Sequence, residues 1–242
     1  MNEMSSVSLI IPAYNEEKYI SECLKYALLE ANGSFLEVIV IDNASTDETS
    51  NIARTFEGVR VVREDEKGLT KARQRGFLEA KGDILAYIDA DTRMPSGWFA
   101  KVQKTFQENR AVGAVSGPYI YHDIPKFQQW IVKYFWWYTL AIPIYKLIGY
   151  MIIGGNFAIR RDVLSKMGGF DTSIEFYGED TDIARRASKF CKVKFMPKLI
   201  MYTSGRRFHG QGIVKTGVLY ALNMVSQVVA GKPFNQTYTD IR

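Results

Sequence analysis

Asp89 and Asp91 bracket a single alanine where an apolar run ends, in the stretch ILAYIDADTRMPSGWF at residues 84–99. In extended backbone, residues two apart emerge on one face, so the two carboxylates can converge on one ion or one ligand. Hard oxygen donors of this kind suit Mg²⁺ or Mn²⁺, which can bridge to diphosphate oxygens. The same pair suits a solvated turn with an N-cap aspartate for a helix beginning near Pro95. Two other polar clusters follow short apolar runs: Tyr14-Asn15-Glu16 and Asp42-Asn43. Basic residues gather at 67–75 and at Arg206 and Arg207.

These clusters need a scaffold, and hydrophobic periodicity supplies one. Residues 7–11 read as a β-strand ended by Pro12, and helical spacing follows from Glu16. Residues 36–41 repeat the strand pattern, and Ser45 three residues before Glu48 has the spacing of a capping box that starts a second helix. A strand at 59–62 leads to a helix near 70–80, stopped by Gly82. The fourth strand, 84–88, delivers the two acids. Alternating β and α predicts an α/β fold with a mostly parallel sheet and right-handed crossovers, whose ligands bind beyond the carboxyl ends of the strands. All three polar clusters fall there.

The chain has 242 residues, a length that suits one large α/β domain or two small ones, and 47% hydrophobic content, ample for a packed core. Cys23 and Cys191 lie far apart and match no metal-ligand spacing, which predicts free thiols in a reducing compartment. The first residues lack the pattern of a secretory signal, so a cytoplasmic location is expected. A net charge of +5 favours anionic partners in general, but no nucleic-acid-binding motif accompanies it. After about Arg110 the alternation decays. Phe127, Trp130, Ile131, Tyr134, Phe135 and Tyr138 recur at helical spacing with Lys126, Gln129 and Lys133 on another face, an amphipathic helix too interrupted to span a membrane. Such a stripe packs against a sheet or lies on a membrane interface. A second apolar helix is expected over 213–229.

The segments VSLIIPAYNEE, VIVIDNASTDET, GLTKARQRGFLEAKGDILAYIDADT, GGNFAIRRDVLSKMGGFD and YGEDTDIARR occur in the order seen in family 2 glycosyltransferases, and the chain resembles that family over residues 7–186. The resemblance implies a single GT-A domain: a nucleotide-binding half at 1–110, an acceptor-binding and catalytic half at 111–210, and a C-terminal helix and tail at 211–242. It implies an inverting enzyme that moves a sugar from a nucleotide diphosphate sugar, UDP-sugar first and GDP-mannose as an option, to a hydroxyl acceptor on a glycan or a lipid-linked molecule.

It also assigns roles by position. Pro12, Tyr14 and Glu16 match the loop that holds the nucleoside, where a carboxylate can accept hydrogen bonds from ribose hydroxyls. Asp42 matches the acid that contacts the base, and Lys71 and Arg73 the basic stretch beside the phosphates, where the family often has Asn in place of Gln74. Asp89 matches the acid facing the ribose, and Asp91 the ligand of a Mg²⁺ or Mn²⁺ ion. Asp180 matches the base that activates the acceptor hydroxyl, with Glu179 as its rival; Asp182 and Arg185 read as a helix-surface pair. Gly154, Gly155 and Asn156 match the turn lining the sugar and acceptor pocket. Arg160 and Arg161 orient that loop or reach phosphate. Arg206 and Arg207 match a loop over the diphosphate, and His209 completes the metal shell or is an ordinary histidine. If the aromatic helix meets a membrane, the protein sits peripherally on the inner face of the cytoplasmic membrane and its acceptor can be lipid-linked.

Three other readings compete. A sugar-phosphate nucleotidyltransferase would carry a glycine-rich, arginine-containing loop after the first strand, which PAYNEE is not. A dinucleotide dehydrogenase would carry G-x-G-x-x-G there. A noncatalytic nucleotide-binding or membrane-scaffold protein would keep the platform without turnover.

Overall fold

Strands form where β-branched and apolar residues run together, since such side chains fit a pleated surface covered on both faces. In the computed structural model, which describes residues 5–174, 178–206, 218, 219, 222, 223, 226 and 234, four of these runs become parallel strands. They are β1 (Val7–Ala13), β2 (Glu37–Asn43), β3 (Val59–Glu64) and β4 (Ile84–Ile88), side by side in the order β3-β2-β1-β4. The sheet continues through β8 (Asn156–Arg160), β6 (Val112–Ser116) and β9 (Lys192–Phe195), with β8 antiparallel to both its neighbours. A second sheet of three short strands, β5 (Thr92–Arg93), β10 (Met201–Thr203) and β7 (Tyr119–Tyr121), stands at the carboxyl end of β4.

Alternation along the strands sorts side chains to two cores. Val7, Leu9 and Ile11 of β1 pack on one face with Leu24 of α1 (Ile20–Ala31) and Trp98 of α4 (Trp98–Glu108). Ile10, Ile39 and Tyr87 face the other way, toward Ala72 of α3 (Leu69–Glu79) and Ile183 of α8 (Glu179–Ala187). Each strand thus ends rigidly, and the loops beyond are held where the sheet places them.

Several local expectations are corrected. Pro12 does not end β1: it pairs in register with Ile41 and the strand runs on to Ala13. The Ser45–Glu48 capping box does not form. α2 (Thr49–Arg54) starts later, and the Asp47 carboxylate accepts the Thr49 amide at 3.0 Å, while Ser45 Oγ accepts the Asn15 amide at 3.0 Å and ties two loops together. α3 is already finished at Glu79, and Gly82 serves another need, because a Cβ there would lie 2.6 Å from the Ser8 amide. Arg160 and Arg161 do not turn to a ligand. Arg160 donates to Val112 O and Phe106 O, and Arg161 to the carbonyls of Phe77, Ala80 and Gly82 at the end of α3.

Of the two surroundings open to the aromatic stripe, packing against the sheet is not the one it takes. α5 (Lys126–Ile131) runs into a π-helical stretch (Val132–Ala141) and then α6 (Ile142–Ile148). Phe127, Trp130, Tyr134, Phe135 and Tyr138 are exposed, whereas Val132, Trp137 and Ala141 are buried against Met151 and Phe195. The five-residue step from Val132 to Trp137 follows the wider i→i+5 turn rather than the 3.6 period assumed from sequence. Among the described residues no helix is long and apolar enough to cross a membrane. The helix expected over 213–229 falls largely outside the described residues, as do Arg207 and His209.

Asn156, fully buried, joins three parts of the fold: its Oδ1 accepts Trp98 Nε1 at 2.8 Å and its Nδ2 donates to Leu199 O at 2.8 Å. Its side chain is thereby committed to the core rather than to a pocket. Asn156→Ala leaves two buried groups unpaired, at about 1–3 kcal/mol each. The urea midpoint should show a loss of ~3 kcal/mol; a loss below ~1 kcal/mol would refute this role.

Candidate functional site

Five chain segments bring charge to one place because each ends at the same edge of the sheet. A cavity of about 500 Å³ opens there. From the first strand-helix loop it takes Pro12, Tyr14 and Glu16; from α3, Arg73; from beyond β4, Asp89 and Asp91. Gly154, Gly155, Glu179, Asp180 and Arg206 complete the polar wall. Eleven residues singled out from sequence therefore border one space, although they span residues 12 to 206.

The acid pair is not a helix cap. The amides at the start of α4 are taken by Glu30, whose carboxylate accepts Gly97 N at 2.9 Å and Phe99 N at 3.1 Å. Asp91 instead faces Arg206 Nη2 at 3.1 Å and accepts Thr203 Oγ1 at 3.2 Å. Arg206 also forks onto Glu16, with bonds of 2.8 and 2.6 Å, and lies over the Tyr19 ring. Its segment is pinned where Asp123 accepts Ser204 Oγ and Gly205 N. Burial pushes the Asp91 carboxyl up to about 7, against the opposing pull of Arg206.

Asp89 is held from two sides, by Tyr119 Oη donating at 2.9 Å and by Arg73 Nη2 at 3.5 Å. Arg73 is itself almost fully buried and pairs with Glu179. Gly154 and Gly155 allow this crowding: a Cβ at Gly154 would run into Glu179 and Arg73, and one at Gly155 into Tyr119 and Asp89. Glu179 and Asp180 occupy the first turn of α8, where the helix dipole favours acids. Asp180 Oδ1 accepts the Thr181 amide at 2.7 Å. Burial raises both carboxyls, Glu179 to about 7. Asp182 is buried rather than on the surface and pairs with Arg185 and Arg186.

Two expected contacts are not brought to the cavity. Asp42 is buried beside its cross-strand neighbour Arg63, 2.7 Å away, and accepts the Ser45 amide at 3.0 Å. Lys71 pairs with Glu66 at 2.8 Å, and Lys67 takes the place beside the site, 4.0 Å from the centre of the Tyr14 ring. Gln74 accepts the Phe170 amide, a structural tether. Sequence reasoning missed Tyr119 and Thr203, which hold the two aspartates. Both sit in strands of three residues, too short for periodicity to register.

A divalent cation fits the donor set in part. Asp89 and Asp91 offer hard carboxylate oxygens at the cavity wall, and Asp91 is a buried acid that a cation would stabilise. Among the described residues no group of three His, Cys, Asp or Glu converges, so remaining positions would fall to ligand oxygens.

A family model described as "Glycosyl transferase family 2" matches residues 8–168. The chain belongs to this family. Among curated relatives of the family, the "Probable glycosyltransferase YdaM" of Bacillus subtilis is 28% identical over 227 residues, covering 84% of this chain and 51% of that protein. The chain thus spans about half the length of that relative. Among solved structures, a mannosyltransferase from Pyrobaculum calidifontis in complex with GDP-Man and Mn²⁺ superposes with a TM-score of 0.72 at 23% identity, covering 95% of this chain and 64% of that one. Glucosyl-3-phosphoglycerate synthase from Mycobacterium tuberculosis, solved with Mn²⁺, UDP and phosphoglyceric acid, gives a TM-score of 0.66 at 18% identity, covering 93% and 78%. These likenesses establish the GT-A fold.

Arg73→Leu tests the buried ion pair. It leaves Glu179 without its guanidinium, at ~3–5 kcal/mol. Because the folded-state pKa of Glu179 is raised from the ordinary 4.5 to about 7, its ionisation costs stability as pH rises through that window. Chemical denaturation should therefore show a larger loss at pH 8 than at pH 5.5. Equal losses at both would show that Glu179 is not the group left stranded.

Proposed function

We propose that this chain is the catalytic domain of an inverting glycosyltransferase that moves a sugar from a nucleotide diphosphate sugar to a hydroxyl acceptor. The observation that carries the reading is the convergence of Glu16, Asp89, Asp91, Arg206, Arg73 and Asp180 on one cavity at the sheet's carboxyl edge. In this reading residues 1–110 hold the nucleotide and residues 111–210 the acceptor side. Pro12, Tyr14 and Glu16 meet the nucleoside, Asp89 the ribose, and Asp91 with Asp89 a Mg²⁺ or Mn²⁺ ion. A metal bound there would offset charge developing on the departing diphosphate. Arg206 and Arg73 add positive charge at the same wall, and Arg73 Nε has no hydrogen-bond partner among the described residues. No ligand contact is assigned to Asp42, Lys71 or Asn156.

Asp180 is the base. Its competitor Glu179 is engaged by Arg73, whereas among the described residues the Asp180 carboxylate has no arginine or lysine ion pair and accepts from Thr181, next to it in sequence. It takes the proton from the acceptor hydroxyl as that oxygen attacks the anomeric carbon from the side opposite the diphosphate, which inverts the configuration. UDP-sugar is the first donor to test and GDP-mannose the second. The acceptor is a glycan or lipid-linked, with residues 127–138 in peripheral contact with a membrane. Support for that contact is an exposed aromatic face, with Lys126 and Lys133 in the same stretch of chain.

Thermal-shift titration of UDP, GDP and dTDP with Mn²⁺ should single out one base, and a ligand at a hundred times its Kd adds about 2.7 kcal/mol. Chelation should abolish the shift; an undiminished shift in excess chelator would remove the metal from the proposal. Asp180→Asn should keep the nucleotide shift while release of diphosphate from the donor falls about 10²–10⁴-fold. In the unsubstituted protein that rate should climb with pH through the elevated Asp180 pKa, since only the ionised carboxylate accepts a proton. A mutant that turns over normally would transfer the role elsewhere.

A further inference from the structure

The polar wall accounts for only part of the cavity. Trp136, Trp137, Ala141, Ile148, Met151 and Ile152 line it as well, and all six come from one stretch of chain. That stretch carries no acid: between Asp123 and Asp162 there is no Asp or Glu, and Lys126, Lys133 and Lys146 are the charges before Arg160. The Trp137 indole N–H, its polar handle, is spent on Tyr119 O at 2.8 Å, and its ring packs on Phe195. Trp136 and Tyr150 each bring one polar atom to this stretch of the wall, whereas the side chains of Ala141, Ile148, Met151 and Ile152 offer no donor to sugar hydroxyls, and leaving such hydroxyls against them would cost free energy. An alkyl or polyisoprenyl chain would gain from the same contact.

The outer side of this element points to the same chemistry. Trp130, Tyr134 and Tyr138 form an exposed ladder with ring centres 5.4 and 5.9 Å apart, and Leu147 is exposed beside Lys146. One element therefore has an apolar inner side on the cavity and an aromatic, basic outer side on the surface, the pattern of a segment at a lipid interface. We propose that the wall formed by residues 136–152 is the acceptor subsite and that it binds the apolar chain of a lipid-linked acceptor, placing its polar end toward Asp180. This rests on the glycosyl-transfer reading and names its acceptor class.

The test uses methyl, hexyl and decyl β-D-glucosides below their micelle concentrations, titrated against the full chain by tryptophan fluorescence and calorimetry. Affinity should rise about two- to fourfold per methylene until the wall is filled. Ile148→Glu, which places a charge on the wall, should flatten that gradient to within twofold overall, while the nucleoside diphosphate shift with Mn²⁺ persists. Phe127→Ser, on the outer side, should leave the gradient intact. A flat gradient in the unsubstituted protein, a gradient that survives Ile148→Glu, or one lost in Phe127→Ser would each overturn the subsite. A gradient with no nucleotide shift would instead overturn the transfer reading and with it the acceptor role.

Discussion

Two arginines hold four of the five carboxylates at the end of one sheet, and the rest of the site depends on that balance. Glu16, Asp89, Asp91, Glu179 and Asp180 would repel one another in a partly dry cavity, where charge interactions are stronger than in water. Arg206 bridges Glu16 and Asp91, and Arg73 bridges Asp89 and Glu179. Each arginine links an acid from the first half of the chain to another segment: Arg206 lies 190 positions from Glu16, and Arg73 reaches to α8. A buried ion pair adds little net stability over an apolar substitute, but losing one partner is costly. The network therefore earns its place by fixing geometry, and the acids stay where a cationic or hydrogen-bonding ligand can meet them.

Much of this platform was legible because the strands that build it are local in sequence. Residues 84–88 read as a strand with the same bounds as β4, and the acids that follow have to leave the sheet edge together. The two-residue period does not depend on distant partners. Helix starts do. The amides opening α4 are satisfied by Glu30, 67 residues from Gly97, so no local pattern could have named the cap. Asn156 reads as a pocket residue beside two glycines, yet Trp98 and Leu199 claim its amide from far along the chain. Asp42 was drawn away by Arg63, its neighbour only once β2 and β3 pair. In each case a long-range partner decided which way a side chain turned.

The aromatic stretch has two surroundings open to it in the sequence, and its exposure excludes one of them. A 3.6-residue period places Trp130, Tyr134 and Tyr138 on one stripe, which either packs against a sheet or lies on a membrane interface. The wider turn between Val132 and Ala141 changes the repeat, so Val132, Trp137 and Ala141 turn inward instead. π-turns are uncommon and tend to occur at functional sites. Here the consequence is that one short segment is apolar on both sides: Trp137 borders the cavity while Tyr138, its neighbour, faces out. Had the stripe packed against the sheet, its aromatic rings would have been used up in the core. Because it does not, hydrocarbon surface remains on the outside of the wall as well as within the cavity, and both sides call for the same kind of partner.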